Sequence, residues 1–599
     1  MSRLLISAAH KSSGKTTVSV GLCAALSTQG LAVQAFKKGP DYIDPMWLSQ
    51  ASGRACFNLD PYLMTSAQIT DCFVRHSASA DLCLVEGNKG LYDGLALDGS
   101  NSNAALAQML DLPVVLVLDA RGMTRGIAPL ILGYQAFDPH IRIVGVILNQ
   151  LGGARHEAKL RAMIEHYTDV TVLGALGHDP RLSVVERHLG LMPSHEHDTA
   201  AEQVRTIGRL MAEQVDLLRV MQAAHSAAPL TAAVSTPLPV TQTQPPPATA
   251  PAATTPPAAT APLHTPLRIG VARDKAFGFY YPDDLLALQQ AGAEIIPINT
   301  LQDRCLPALD GLLIGGGFPE MFMAELQANS SLRASIRTAI AAGLPVYAEC
   351  GGLMYLARTL RWKDQVFDMV GAIPADARMH ERPVGRGYVA LEPTGLAPWP
   401  AGAADDAQGT LRGHEFHYSS LENTPPDLVY AYRVTRGHGV DGQHDGIVLN
   451  HLLASYTHLR NAAGSQWVAG FMAFVHQHKL TQQDLAGVRL LRVNDTLVAT
   501  DTEGYLQNTE EWTEDFARAQ AEAENLQLTE AHWQVITFLR AYFEEHRVQA
   551  QVRAMIWHFA KEWGPEYGNN HHLHTLFPVG GPQKQGNRLA GLLKTKGEH

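Results

Sequence analysis

Leu4-Leu-Ile-Ser-Ala-Ala-His-Lys-Ser-Ser-Gly14-Lys15-Thr16-Thr17 runs from an apolar strand through a loop of small residues into an apolar helix expected over Val18 to Leu26. A bound nucleotide needs that order. Gly14 lets backbone N–H groups approach phosphate, Lys15 meets the β and γ oxygens, Thr16 offers its hydroxyl to Mg²⁺, and Thr17 closes the phosphate-binding turn. The strict pattern has glycine where this chain has Ala9, so the loop is a variant. The bland alternative, a basic turn at a helix start, is outweighed by the buried-type strand before it.

Further along, apolar runs (Asp81 to Val85, Pro113 to Asp119, Ile141 to Leu148, Val170 to Leu176) alternate with stretches long enough for helices, which is the rhythm of a parallel α/β sheet. Two clusters suit a magnesium-nucleotide site. Lys37-Lys-Gly-Pro-Asp-Tyr-Ile-Asp-Pro puts Asp41 and Asp44 in a Pro-bounded loop beside two ammonium groups, and hard carboxylate oxygens suit Mg²⁺. Leu82-Cys-Leu-Val-Glu-Gly ends a strand in Glu86 at the carboxyl edge, where open α/β sheets bind ligands, and Asp93 follows in Gly90-Leu-Tyr-Asp-Gly.

From Met221 to Pro266 the chain becomes Ala, Pro and Thr with almost nothing large to bury, which reads as a linker favouring extended polyproline conformations. The α/β rhythm restarts with Leu267-Arg-Ile-Gly-Val-Ala, Glu294-Ile-Ile-Pro-Ile, Gly311-Leu-Leu-Ile and Leu344-Pro-Val-Tyr-Ala. Beyond His478 the segments Thr513 to Leu526 and Thr529 to His546 are amphipathic and helix-forming. The expected domains are therefore 1–220, a linker at 221–266, a second α/β domain at 267–478, and a small mainly helical domain at 480–599.

A chain of 599 residues exceeds one hydrophobic core, and 46% hydrophobic with 18% charged residues excludes wholesale disorder. The net charge of −11 gives no basic footprint for nucleic acid. No apolar run approaches the roughly 20 residues of a membrane span, and no signal-peptide pattern opens the chain, so a cytoplasmic enzyme is expected. The six cysteines (Cys23, Cys56, Cys72, Cys83, Cys305, Cys350) show no C-x-x-C spacing. Five read as core or semi-core residues.

Cys350 stands apart. Pro345-Val-Tyr-Ala-Glu-Cys-Gly-Gly-Leu-Met-Tyr-Leu is a strand, a cysteine before two glycines, and a helix start, a turn that exposes Sγ at the positive end of a helix. Gly315-Gly316-Gly317-Phe-Pro-Glu ends another strand with N–H groups suited to a tetrahedral oxyanion, placing Gly316 and Gly317 there. A catalytic thiol also needs a base, and His414, His417, His451 and His458 are all candidates on residue grounds.

Together these motifs, with Glu186-Arg-His-Leu-Gly-Leu and Val271-Ala-Arg-Asp-Lys-Ala-Phe-Gly-Phe-Tyr-Tyr-Pro, resemble cobyrinic acid a,c-diamide synthases from residue 1 to about 475. The resemblance implies a P-loop domain similar to dethiobiotin synthetase, which activates a carboxylate with ATP and Mg²⁺. It also implies an α/β class I glutamine amidotransferase domain of the CobB/CobQ type. Cys350 would be the glutaminase nucleophile and His458, in Ser-Tyr-Thr-His-Leu, the histidine that activates it, with His451 second. Thr16, Asp41 and Glu86 would hold magnesium. Tyr42, Ile43 and Asp93 would lie at the substrate end, Tyr42 and Ile43 facing a tetrapyrrole. L-glutamine, ATP and a tetrapyrrole carboxylic acid are the expected partners, and a homodimer is among the expected assemblies. The two sites are expected to face one another across a closed passage for ammonia.

The tail departs from that family. Asn494-Asp-Thr-Leu-Val-Ala-Thr-Asp-Thr-Glu-Gly-Tyr-Leu, Trp512 with its neighbours, and Leu576-Phe-Pro-Val-Gly-Gly-Pro-Gln-Lys-Gln-Gly-Asn-Arg are similar to the sulfur carriers of the DsrC/TusE family. Those carriers use cysteines in a C-terminal arm, whereas Asn587 and Glu598 stand at the matching positions here, and neither side chain replaces a thiolate. Asn569-Asn-His-His-Leu-His is read as a polar stretch rather than a metal site. Such carriers work with dissimilatory sulfite reductase, so the resemblance favours siroheme or sirohydrochlorin over cobyrinate, as in a DsrN-like member, with sulfite reductase or other carriers as partners of the tail. Two competing readings are a nucleotide-switched binding module docked to a sulfur-oxidation complex and a ligase using free ammonia. A pure switch would have no use for Cys350.

Overall fold

The computed structural model describes residues 1–182, 186–187, 190–191, 199–228, 266–400, 409–462, 465–485, 487–494 and 496–594, with backbone alone at 186–187, 190–191 and 483–485. Residues 188–189 of the Glu186-to-Leu191 motif, most of the Pro/Ala/Thr stretch and Glu598 fall outside them. The chain forms two compact units, one holding both α/β domains and one holding the tail.

In the first α/β domain, strands β1 (Ser2–Ala8), β2 (Val33–Lys38), β3 (Phe57–Leu59), β4 (Leu82–Glu86), β5 (Val114–Asp119), β6 (Ile143–Leu151) and β7 (Thr171–Gly177) make one sheet in the order β3-β2-β4-β1-β5-β6-β7. Every pairing in it is parallel. All seven residues of β1 are buried because β4 and β5 flank it and helices cover both faces. Each buried Leu or Ile there contributes about 1.5–3 kcal/mol, so the loop that leaves β1 starts from a fixed point. The following helix spans Lys15–Thr28, beginning three residues before the apolar pattern. Helix Leu217–His225 takes in the first residues of the stretch read as linker from Met221.

The second α/β domain is richer in strands than its sequence pattern suggests. Leu267–Ala272, Gly311–Ile314, Val346–Glu349 and Leu452–Ser455 are parallel neighbours. The sheet then continues through antiparallel strands His444–Leu449, Val429–Arg436, Gly385–Pro393, Leu411–His417 and His458–Leu459. This antiparallel wing carries His458 back beside the carboxyl end of Val346–Glu349, where the chain turns at Cys350.

Within the first unit the two α/β domains are locked together by buried polar contacts. The Tyr388 hydroxyl donates to both Asp60 carboxylate oxygens at 3.0 and 3.1 Å. Buried Arg460 donates from Nη2 to the Asn58 carbonyl at 2.8 Å and pairs with Asp283. Cys23, Cys56, Cys72 and Cys83 are buried as expected; Cys305 is exposed, a correction to its core reading, because it lies in the turn-rich segment before strand Gly311–Ile314.

Among the described residues the tail unit has a hairpin, Val488–Val493 with Thr496–Asp501, and helices Glu514–Ala523, Glu530–His546, Val552–Glu562, Asn570–Leu576 and Gly581–Leu589. Thr513 accepts from Phe516 N and Asn569 from His572 N, each satisfying a helix-start donor, which explains the polar residues there. Asn587 is buried in the last helix, next to Arg588, which forms two hydrogen bonds with Glu524. The Leu589 carbonyl accepts from Trp512 Nε1 at 2.8 Å, so this part of the arm is packed into the domain. Among the described residues, no helix is long and apolar enough to cross a membrane.

Candidate active site

Gly14 caps the helix at φ 92°, and a Cβ there would fall 2.1 Å from Asn149 Nδ2, so both backbone and space demand glycine. Asn149, on β6, donates from that nitrogen to the Ser13 carbonyl at 2.9 Å and fixes the loop. Lys15 begins the helix and is nearly buried; burial, reinforced by the Lys37 charge, lowers its pKa to about 8 against the pull of Glu86, Asp44 and Asp93. Thr16 Oγ1 donates to Glu86 Oε1 at 2.8 Å and lies 3.4 Å from Asp44 Oδ2. Thr17 faces the other way, donating to the Leu182 carbonyl at 3.3 Å.

Lys37 fills the middle of the acidic group, 2.5 Å from Asp44 and 2.9 Å from Glu86. Glu86 is fully buried, burial raises its pKa, and its Oε2 has no hydrogen-bond partner among the described residues. An orphaned carboxylate oxygen beside a threonine hydroxyl and a second carboxylate is a donor set that suits Mg²⁺. The carboxylate next to Thr16 is Asp44, with the expected Asp41 earlier in the same segment. Asp41 Oδ1 accepts from Ile43 N at 2.9 Å and Asp44 N at 3.1 Å at the start of helix Ile43–Ser52, while its Oδ2 lies 3.9 Å from Lys37 Nζ. Asp93 Oδ2 accepts from Gly90 N at 2.8 Å and shapes its own turn near Lys15.

At the thiol, strand Val346–Glu349 turns at Cys350 with φ 48° and ψ −102° into helix Gly351–Leu356. Such a conformation costs about 1–3 kcal/mol in a non-glycine residue and aims the side chain out of the turn. The following glycines are required by space: a Cβ on Gly352 would lie 2.1 Å from the Ile314 carbonyl oxygen. His458 interacts with the Cys350 thiol, and its Nδ1 is 3.0 Å from Glu349 Oε2. Burial opposes an imidazolium there, but these partners outweigh it and raise the His458 pKa to about 10.

Glu349, which the sequence reading left unassigned, stands where a third member of a Cys–His pair would. Its other oxygen accepts from Tyr347 Oη at 2.6 Å and Leu459 N at 3.0 Å, so the carboxylate is held on both sides. It stood in the quoted Ala-Glu-Cys-Gly-Gly, and its being adjacent to the nucleophile was the available signal. The remaining histidines separate by geometry. His451 pairs with Pro345–Val346 at the opposite end of the strand, roughly 15 Å from Cys350 at about 3.3 Å per residue, and bonds the Gly343 carbonyl. His417 bonds the Ser419 carbonyl and stacks on Tyr456. His414 stacks on His458 with centroids 5.0 Å apart, and burial followed by the His458 charge pushes its pKa well down.

The two glycines expected at the oxyanion have different neighbours. Gly317 N lies 3.0 Å from where a Cβ of Gly351 would be, beside the thiol turn. Gly316 gives clearance: a Cβ there would meet His458 Cε1 at 2.6 Å.

One cavity of about 690 Å³ reaches both groups, with Asp41, Ile43 and Asp44 on one wall and Cys350, His414 and His458 on another. Lys89, Arg386 and Arg436 also line it, cations that the sequence reading did not single out because they come from three separate segments. Tyr42 touches the cavity but is buried against glutaminase-side rings.

Compared with known proteins, residues 268–465 match the CobB/CobQ-like glutamine amidotransferase domain, residues 2–186 an AAA domain, and residues 492–597 the DsrC-like proteins. The cobyrinate a,c-diamide synthase of Magnetococcus marinus is 46% identical over 473 residues, which span 79% of this chain and 96% of that protein. The synthase of Methanosarcina acetivorans is 39% identical over 490 residues, 77% of this chain and 93% of that one. The solved structure of Allochromatium vinosum DsrC is 40% identical, covering 18% of this chain and 97% of that one with a TM-score of 0.17.

Proposed function

The chain belongs to the cobyrinate a,c-diamide synthase family and is a glutamine-hydrolysing amide ligase with an ATP-binding P-loop domain; from that premise we propose that it converts acetate carboxylates of a tetrapyrrole into amides at the shared cavity. The observation that carries this reading is the single cavity, bounded by the Thr16-side carboxylate loop and by Cys350 with His458. Its volume lies within the range of small-molecule sites, and Lys89, Arg386 and Arg436 suit a substrate bearing several carboxylates.

The thiolate of Cys350 attacks the side-chain carbonyl carbon of glutamine, forming a C–S bond. Gly317 N–H, with Gly351 N–H at the helix start, meets the developing oxyanion. His458 passes its proton to the amide nitrogen, the C–N bond breaks, and ammonia leaves; water then hydrolyses the thioester to glutamate. In the other half, a substrate carboxylate oxygen attacks the γ-phosphorus of ATP with ADP as leaving group, and Lys15 neutralises charge on the transferring group. Thr16, Asp44 and Glu86 would hold Mg²⁺, which supplies charge neutralisation on the phosphates when bound. Ammonia displaces phosphate from the acyl phosphate, giving the amide. Release of ammonia into the cavity that holds the acyl phosphate limits its loss to water.

Glu349 orients His458 in this scheme. Glu349→Gln puts a neutral amide against Nδ1 and removes the charge that holds the imidazolium. The expected result is glutamate release slowed by on the order of 100-fold or more, with ammonia-dependent amidation unaffected. Unchanged glutaminase turnover in this variant would remove Glu349 from the mechanism.

For the macrocycle, siroheme or its metal-free precursor is favoured over cobyrinate. Support comes from the fused DsrC-like segment, since fusion raises the effective concentration of partners in one pathway. The cysteine-free arm then makes that segment a docking or regulatory module. A competition assay with ATP, glutamine and all three tetrapyrroles, read by product mass, tests this. Amidated siroheme or sirohydrochlorin is expected to dominate; diamidation of cobyrinate with the other two untouched would overturn the preference and leave the amidotransferase reading standing.

A further inference from the structure

We propose that Tyr42, contributed by the nucleotide-binding domain, is a positioning residue of the glutaminase site. Its ring centroid lies 5.2 Å from that of His458 and 5.6 Å from that of His414, and it stacks on Phe279 at 5.3 Å with planes 3° apart. Tyr281 closes the same group at 4.8 Å and reaches His414 Nδ1 with its hydroxyl at 3.3 Å. His458 thus has Glu349 at its edge, His414 stacked on it and Tyr42 packed beside it.

The geometry has a chemical consequence. An imidazolium is attracted to aromatic faces, and a ring confined by packing gives its proton along a fixed direction. Burial keeps the Tyr42 phenol neutral, raising its pKa well above the usual value, so it competes for no proton. The residue is also set on a stiff base. Asn58 Nδ2 donates to the Gly39 and Asp41 carbonyls at 2.8 and 2.7 Å, and Asp41 caps the helix that begins at Ile43. A positioning group is useful only if its own support is held in this way. The loop carrying Asp44 to Thr16 therefore also carries Tyr42 to His458, and the glutaminase site is incomplete without the other domain.

The inference rests on reading Cys350 and His458 as the glutaminase pair; that reading fails separately if the Cys350→Ala protein still hydrolyses glutamine. The test is kinetic, on the full chain. Rates of amidation with glutamine and with ammonium salt, and of glutamate release without ATP, are measured for wild type, Tyr42→Leu and Tyr42→Phe. For Tyr42→Leu the ratio of glutamine- to ammonia-dependent rates is expected to fall by about 10- to 100-fold. The loss should lie in glutaminase kcat with KM for glutamine little changed. Tyr42→Phe, which keeps the ring, should recover most of it. An unchanged ratio would place Tyr42 against the tetrapyrrole instead, and a Phe variant as slow as the Leu variant would overturn the role of the ring.

Discussion

Cys350→Ala is expected to lower glutamine-dependent amide formation by at least about 10⁴-fold, the scale for removing a covalent nucleophile, while ammonium salt still supports product. Alanine adopts φ 48° at about the same cost as cysteine, and the helix that follows depends on Gly351 and Gly352 rather than on sulfur. Little else changes, so the protein should fold and bind ATP. Lys15, Thr16, Asp44 and Glu86 are untouched, and the acyl phosphate still forms for external ammonia to displace. The other cysteines offer no substitute: Cys23, Cys56, Cys72 and Cys83 are buried with their thiol pKa values pushed up by burial, and exposed Cys305 does not line the cavity that Cys350 lines. The assay compares amide produced from glutamine and from ammonium chloride. A variant equally active on both sources would place the nucleophile elsewhere, and a wild type indifferent to glutamine would favour the free-ammonia ligase.

What could be read before the structure was local. Gly14-Lys15-Thr16 and Cys350-Gly-Gly each do their work within one turn, so their spacing carries the geometry. The same holds for Glu86, which ends a buried parallel strand. Properties set by distant partners were not legible. Glu349 acquires a role only when His458, 109 residues later, is folded against it. Asp41 and Asp44 look alike as carboxylates, and only the fold shows that Asp44 lies beside Thr16 while one oxygen of Asp41 bonds the start of the helix at Ile43. His458 was singled out from His414, His417 and His451 by family resemblance; that strand register brings it beside Glu349, next to Cys350, could not be read from spacing. The family resemblance put Tyr42 at the tetrapyrrole, and nothing in its own segment announces that its ring, while touching the cavity, also packs on Phe279 and His458 of the other domain. The antiparallel wing was missed for another reason: strands such as Gly385–Pro393 and Val429–Arg436 mix buried and exposed positions irregularly and lack the continuous apolar runs of parallel strands.

Lys15→Ala is expected to abolish amide formation with either nitrogen source, because the lost contact acts on phosphoryl transfer and every later step consumes its product. Lys15 is nearly buried and makes no salt bridge among the described residues, so its charge is stabilised most when phosphate oxygens arrive. Removing it leaves those oxygens facing a cavity without their cation, and a fall of about 10³-fold or more in kcat/KM for ATP is expected, the scale of charge-stabilising groups in phosphoryl transfer. Glutamate release without ATP should persist, since Cys350, His458 and Glu349 are unaltered; it separates a chemical loss from an unfolded protein. The lowered pKa supplies a second, independent readout. With Lys15 titrating at about 8 in the free protein, raising the pH through that value removes the positive charge. The wild-type kcat/KM for ATP should then decline on the alkaline side, with bound phosphate holding the proton to higher pH. In Lys15→Arg, whose side chain stays charged, that limb should vanish even if the rate is low. Normal amidation by Lys15→Ala, or an alkaline limb retained in Lys15→Arg, would show that the phosphate contact lies with another residue.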